Sequence, residues 1–386
     1  MIEKAFVGDK KYWVWISILL GTITVGVCCY LYQYSYGLGA TGMSRDVSWG
    51  IYISQFTFLV GVAASAVMLV LPYYVHNFKV FGRITILGEF VAISAVTMCL
   101  LFIMADLGQP IRGLNVIFHP TPGSILFWDM IVLNGYLFLN LLVGWWVLTA
   151  EQKQVAPPKW IKPFIYLSIP WAVSIHTVTA FLYCGLPGRH FWLTAILAPR
   201  FLASAFCAGP ALLIFLCIII RRFTKFDAGD VAIQKLVSIV IYAGLINFFF
   251  VGLELFVGYY SNMPGHIHTL EYLFFGLDGY NKLVPWMRAS VVMGMFALVL
   301  FALPKTRHDE RWLIVSSVLI FFSLWIDKGL GLVLGGFVPN MTEGITEYYV
   351  TLPEIFITLG IWSIGALILT VLYKVAISVK LTKEET

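Results

Sequence analysis

Ten apolar stretches, each about 20 residues long as a bilayer core demands, run through the chain, and the gaps between them alternate between rich and poor in lysine and arginine. The rich gaps hold Lys4, Lys10 and Lys11; Lys79 and Arg83; Lys153, Lys159 and Lys162; Arg221, Arg222, Lys225 and Lys235; Lys305, Arg307 and Arg311; and Lys374, Lys380 and Lys383. Backbone amides find no water in hydrocarbon, so each stretch must close its own hydrogen bonds as a helix. Basic loops stay on the cytoplasmic side, which places both termini there and requires an even number of spans. The prediction is an all-α integral membrane protein of ten transmembrane helices.

Composition narrows the function. Hydrophobic residues make up 60% of the chain and charged residues only 12%, outside the range of soluble domains. The net charge of +5 resides in the cytoplasmic loops, which fits anionic lipid headgroups and argues against nucleic acid as a partner. The first stretch, from about Trp13 to Tyr34, is too long for a signal-peptide core and lacks a small-residue cleavage site, so it reads as a retained helix. All six cysteines (Cys28, Cys29, Cys99, Cys184, Cys207, Cys217) lie in or at the ends of apolar stretches without a C-x-x-C pair. That spacing suits small buried side chains and offers no iron–sulfur, haem or zinc site. Only His176 lies well inside a span, whereas a bis-histidine haem needs two facing imidazoles. If the chain handles electrons, the metal belongs to a partner.

The remaining spans are expected at about Trp49 to His76, Ile84 to Asp106, Ser124 to Thr149, Pro163 to Tyr183, Trp192 to Ile220, Leu236 to Tyr260, Val284 to Leu303, Trp312 to Leu334 and Leu352 to Val379. Phe58, Gly61 and Ala64 in the second are echoed by Phe206, Gly209 and Ala211 in the sixth. Copies four helices apart share an orientation, which suggests two four-helix bundles, spans two to five and six to nine, flanked by spans one and ten. In a single polytopic domain these units would cover residues 44–190 and 191–338, with 339–386 as the C-terminal helix. Small residues also serve helix packing alone, and both readings of the echo stand.

Each ionisable group inside a bilayer needs a partner, a cavity or a function. Asp106, Asp129, His176, Arg200, Glu254, Asp327, Lys328 and Glu354 all fall towards the outer leaflet in this topology. Glu89 is the exception, near the cytoplasmic side, with Asn134, Asn140 and Gln55 at depths between. These four read either as a proton path or as interhelical hydrogen-bonding groups. A pocket containing His176, Asp129 and Arg200 suits a quinone headgroup, whose two-electron chemistry moves two protons. Histidine exchanges a proton near neutral pH, a carboxylate orients it, and arginine steadies an oxygen without titrating. A secondary transporter or proton-translocating channel subunit is the alternative, since ten spans, a repeat and buried charges suit that class too. The outer loop carrying His266, His268 and Glu271 reads as a polar docking surface rather than a metal site.

Several stretches resemble one family. They are Ser48-Trp49-Gly50-Ile51 leading into Phe58-Leu59-Val60-Gly61; Asp106-Leu107-Gly108-Gln109-Pro110-Ile111-Arg112; Ser124 with Trp128-Asp129; Pro170-Trp171-Ala172 through His176 to Phe181; Gly188-Arg189-His190-Phe191-Trp192; and Pro199-Arg200-Phe201 through Ala205. The pattern is similar to that of the NrfD or polysulfide reductase membrane subunits, and within them to the branch serving DsrMKJOP-type complexes (DsrP-like, HmeC-like). The resemblance implies a prokaryotic cytoplasmic-membrane subunit without haem or iron–sulfur cluster, exchanging electrons between menaquinone or a related quinone and an extracytoplasmic ferredoxin-like iron–sulfur protein (DsrO-like). Further membrane and haem subunits (DsrM-, DsrK- and DsrJ-like) would join it. Carried onto this chain, His176, Asp129 and Arg200 would act on the quinone, Asp106 and Arg112 would stand at the pocket mouth, and Trp49 and Trp128 would belong to the same site. Beyond about Ala211 the likeness thins, and it assigns no role to Glu254, Asp327 or Lys328.

Overall fold

The computed structural model describes residues 2–384, with the side chains of Ile2, Thr382, Lys383 and Glu384 outside the described residues. Among them, ten helices are long and apolar enough to cross a membrane: Lys10–Ala40, Ile51–Val75, Thr85–Asp106, Ile125–Gln152, Lys159–Cys184, Leu197–Phe223, Asp230–Tyr260, Val284–Ala302, Glu310–Leu334 and Leu352–Leu381. They are called the first to tenth spans below. No β-strand occurs among the described residues, and the chain is an integral membrane protein.

Neighbour relations follow the predicted grouping. Spans two to five close a ring in which each packs on the next and the fifth returns to the second; spans six to nine close another. The rings meet where the second span packs on the sixth and ninth, and the fifth on the sixth. The tenth lies against the third, and the first against the tenth. Burial follows from this order: the second, third and sixth spans are the most enclosed and the first is the least. The first presents Trp13, Val14, Ile18, Leu20, Val25 and Leu31 outward, as a lipid-facing helix should.

Small residues set the seam between the rings. A side chain on Gly209 would meet the Ser65 backbone at 2.9 Å, and one on Gly61 would come within 3.6 Å of the Ala205 backbone. The glycines that echo each other in sequence therefore lie on the same seam, each against the opposite ring, where close backbone approach replaces the hydrophobic effect as the source of attraction. Gly26 and Gly360 do the same for spans one and ten, a Cβ on either meeting the other's Cα at 2.8–2.9 Å.

The loops sort into two ends. At the basic end, Arg83 donates to the Asp227 carbonyl, Arg221 bonds Asp227, Asp230 and Glu310, Arg307 bonds Gln234, and Lys380 pairs with Glu151. At the opposite end the segment following the ninth span crosses both rings. Thr346 donates to Asp46, Tyr348 accepts from the Ile51 amide, and Glu347 accepts from the Lys282 amide and the Tyr272 hydroxyl. Glu354 is fully buried there, accepting from the Gly42 and Thr351 amides.

Two spans depart from regular α-helix. The second breaks into a turn at residues 64–66 and ends in a π-helical turn, Leu71–Val75, that contains Pro72. The ninth widens into a π-helical segment over Trp325–Leu334, where Gly329 and Gly331 lower the cost of an irregular ladder. The sixth span begins at Leu197 rather than Trp192, because His190–Trp192 forms a separate 3-10 turn. Trp192 is consequently an interior residue, its indole nitrogen donating to the Leu332 carbonyl at 2.8 Å. The seventh span starts at Asp230, well before Leu236, after Gly229 at φ +85°.

The seam makes a direct prediction. Gly209→Val would drive a branched side chain into the Ser65 backbone and destabilise the protein by about 1–3 kcal/mol, the usual cost of overpacking. Gly21→Ala, which meets nothing within 4 Å inside a helix, should not lower the unfolding temperature of detergent-solubilised protein. Equal melting of both variants and the parent would rule out the seam as described.

Candidate functional site

A narrow cleft opens inside the second ring at the end away from the basic loops. Its polar wall is Arg200 on the sixth span, Glu254 on the seventh and Asp327 on the ninth; its apolar wall includes Phe191, Leu270, Leu273, Phe274, Met287 and Leu332. The short helix Pro264–Phe274 supplies Leu270, Leu273 and Phe274 and so roofs the cleft from the loop side. Arg200 donates from Nη2 to both Asp327 oxygens, at 2.8 and 2.9 Å, and from Nη1 to Glu254. One cation thus bridges carboxylates from two neighbouring helices. Side-chain exposures of 9% for Arg200, 12% for Glu254 and 15% for Asp327 show that the triad is enclosed yet touches the cleft.

Asp327 and its neighbour Lys328 part company, as successive residues about 100° apart around a helix do. Asp327 enters the cleft, whereas Lys328 turns into the seam between the rings, where its ammonium lies 4.0 Å from the Phe201 ring centre and beside Gly61. Among the described residues, Lys328 Nζ and both ring nitrogens of His176 are buried without a hydrogen-bond partner. The two lie within electrostatic reach of each other, and Lys328 also senses Cys99, Arg200 and Asp327. Asp129 is buried nearby in the first ring and accepts from Thr179 Oγ1 at 2.8 Å.

Sequence reasoning grouped Asp129, His176 and Arg200. The structure puts all three under the same end of the molecule but divides them: Arg200 faces the cleft through its two acids, while Asp129 and His176 are not in its wall. Asp106 is half-buried at the end of the third span with Oδ1 unpartnered among the described residues. Arg112 is exposed in the loop that follows. Trp49 stacks on Trp192, ring centres 5.6 Å apart, and meets Tyr183 and Phe337 edge-on, which places it in an aromatic plug between the rings. Trp128 is exposed and donates to the Pro122 carbonyl.

The four residues read as a proton path are also parted. Asn134 points out of the bundle and bonds its own helix at the Met130 carbonyl, so it joins no buried series. Asn140 is buried but likewise bonds its own helix, at Tyr136. Gln55 accepts from the indoles of Trp325 and Trp362, at 2.9 and 3.0 Å, and acts as an interhelical tie between spans two, nine and ten. Glu89 is buried near the basic end, close to Gly144 and within electrostatic reach of the Glu151–Lys380 pair.

Glu254, Asp327 and Lys328 stood in the sequence without a role. The available signal was the run Asp327-Lys328-Gly329-Leu330-Gly331, two opposite charges beside two glycines inside an apolar span, where ionisable residues are rare and usually functional.

The family model described as polysulphide reductase, NrfD, matches residues 39–328. The chain belongs to the NrfD family. Its match takes in every residue of the cleft triad and the seam described above. Similar proteins include a putative dimethyl sulfoxide reductase membrane subunit from Halobacterium salinarum, 26% identical over 92% of this chain and 88% of its own. Another is the Hdr-like menaquinol oxidoreductase integral membrane subunit of Archaeoglobus fulgidus, 24% identical over 82% of this chain and 78% of its own. A third is the menaquinone reductase integral membrane subunit of Nitratidesulfovibrio vulgaris, 18% identical over 88% and 85%. Among the described residues of this NrfD-family chain, no three His, Cys, Asp or Glu side chains cluster as a metal site would require; His268 instead bonds Glu343 at 3.1 Å.

The roof of the cleft carries a pH dependence. His266 is half-buried in the helix Pro264–Phe274, and burial, then the neighbouring His190 ring, holds its imidazolium form below the usual histidine range. The unfolded segment therefore binds a proton more readily than the folded one, and the stabilisation is lost as pH falls from the ordinary histidine value towards the lowered one. Amide protection factors of residues 264–274, which correct for the intrinsic pH dependence of exchange, should fall between about pH 7 and pH 5 and lose that dependence in His266→Gln; an unaltered pH response in the variant would reject the assignment.

Proposed function

We propose that this chain is the quinone-interacting membrane subunit of a multi-subunit respiratory oxidoreductase, and that the cleft holding Arg200, Glu254 and Asp327 receives the quinone headgroup. The observation that carries the reading is that triad: three ionisable side chains from separate spans meet in an otherwise apolar cleft in a family whose relatives are named as menaquinol and menaquinone enzymes. The residues fit the ligand. The lining is apolar apart from the triad, which suits a headgroup held by a few polar groups, with the tail left to the bilayer. Bonds to Glu254 and Asp327 engage the two terminal nitrogens of Arg200, so Nε–H, with no partner among the described residues, is a donor for a carbonyl oxygen.

A bound quinol supplies two electrons and two protons. Arg200 holds an oxygen and opposes negative charge on it, and its own charge does not change at any working pH. Glu254 and Asp327 are the proton acceptors in contact with the cleft, and Phe274, Leu273 and Met287 exclude water around them. Electrons pass to or from a ferredoxin-like iron–sulfur subunit docked at this end, which we take to be extracytoplasmic, with the basic loops and both termini in the cytoplasm. An assembly of the DsrMKJOP type, with DsrO-like, DsrM-like, DsrK-like and DsrJ-like companions, suits this arrangement. Asp129 and His176 serve the proton rather than the headgroup, and Asp106, Arg112, Trp49 and Trp128 flank the site.

The test is binding. In the complex purified from membranes, Met287→Trp, which fills the cleft without touching a charge, should weaken menadione binding at least about tenfold. Arg200→Gln should weaken it further, and this variant also strands two buried acids, so its assembly must be checked. Unchanged affinity in Met287→Trp with intact assembly would remove the cleft as the quinone site.

A further inference from the structure

The cleft in the second ring is closed towards the loops. Its roof, the helix Pro264–Phe274, is held at three points: Thr269 donates to the Val338 carbonyl at 2.8 Å, Tyr272 to Glu347 at 3.2 Å, and Arg288 of the eighth span to the Phe274 carbonyl at 2.9 Å. Leu270 and Leu273 of this helix are buried in the cleft wall, so the roof bars the site from the aqueous side. The partly exposed wall residues show where the cleft reaches the surface. They are Val251, Glu254 and Leu255 on the seventh span, Phe274 at the end of the roof, and Asp327 opposite; every other wall residue, Arg200 and Met287 included, is buried.

That surface adjoins the gap between the seventh and eighth spans. Towards the basic end the two helices are in close contact: a Cβ on Gly244 would meet Leu298 at 2.7 Å, and one on Gly294 would meet Phe248 at 2.8 Å. One turn beyond Phe248 lies Gly252, which is exposed and where a Cβ would meet nothing within 4 Å. Residues three apart stand about 60° from each other around a helix, so Gly252 occupies the stripe next to the wall residue Leu255. We propose that this gap is a lateral mouth through which a quinone enters the cleft from the bilayer, its isoprenoid chain lying across Gly252 while the headgroup sits against Arg200. The proposal rests on the quinone reading of the cleft and adds to it the route and the place of the tail.

The chemistry of the mouth suits the two ends of such a ligand. A quinone carbonyl finds no donor in hydrocarbon, so the polar triad draws the headgroup inward past Val251 and Leu255. An isoprenoid chain asks for no hydrogen bond and gains little by leaving lipid for protein, because lipid tails are as apolar as the side chains that would replace them. Its position is therefore set by shape, by where a side chain is missing. Gly252 leaves that space, and the surface beside it is apolar: Phe256 and Phe275, both exposed, directly follow the wall residues Leu255 and Phe274.

The experiment uses the complex as isolated and compares two donors with the same ring, menadiol without a tail and menaquinol-4 with an isoprenoid chain. In Gly252→Trp, KM for menaquinol-4 should rise about 10- to 100-fold, within the range that forced overpacking gives, while menadiol turnover and menadione affinity stay within about twofold of the parent. Gly252→Ala should raise the menaquinol-4 KM less. Gly21→Trp, which also puts an indole into open space but on the first span, should leave both donors unaffected. An unchanged menaquinol-4 KM in assembled Gly252→Trp, or an equal loss with both donors, would overturn the proposal. Normal menadione binding in Met287→Trp would instead bring down the quinone reading, and the proposal with it; weakened menadione binding there, beside normal menaquinol-4 kinetics in Gly252→Trp, would remove the mouth alone.

Discussion

The Arg200 guanidinium is the interaction on which the site end of the molecule depends. It joins the sixth span to the seventh through Glu254 and to the ninth through Asp327, inside a region where any of the three charges alone would be expelled. The arrangement is weak evidence for stability, because a packed apolar trio would hold the helices as well. Its presence makes sense as chemistry: two carboxylates are directed into a cleft, with a permanent positive charge between them. The roofing helix, the aromatic plug around Trp49 and Trp192, and the strap from Val338 to Thr351 all enclose that end.

The seam between the two rings does a different task with different materials. Gly61, Ala205, Ser65 and Gly209 bring backbones together, and the volume they leave is occupied by Lys328 and the Phe201 ring. A membrane interior offers little hydrophobic drive to join helices, so close contact and a few polar ties must suffice. Gln55, bonded by two tryptophans from spans nine and ten, is one such tie, and the strap across both rings at Thr346, Glu347 and Tyr348 is another. Both hold the cleft of one ring in fixed relation to the buried histidine and aspartate of the other.

How far the site was legible can be traced through single residues. Arg200 was visible as a charge inside an apolar span, and His176 as the lone histidine in another. Their separation was not visible, because two residues at the same depth on different helices can share a pocket or face apart, and helix rotation carries no signature in an all-apolar segment. Asn134 and Asn140 show the same limit: on one helix, the first faces outward and the second inward, and both spend their amides on their own backbone. Trp192, taken from sequence as the start of the sixth span, instead lies in a 3-10 turn ahead of it and points inside.

The sequence by itself determined the helical class, the number of spans and their rough limits, since bilayer thickness and the need to pair every amide admit no other solution to ten apolar runs. It also carried the small residues of the seam and enough motifs to indicate the family. Tertiary structure alone decided which charges meet. The pairing of Arg200 with Glu254 and Asp327, and the turning of Lys328 away from them, depends on helix rotation and on residues that lie 54 and 127 positions apart.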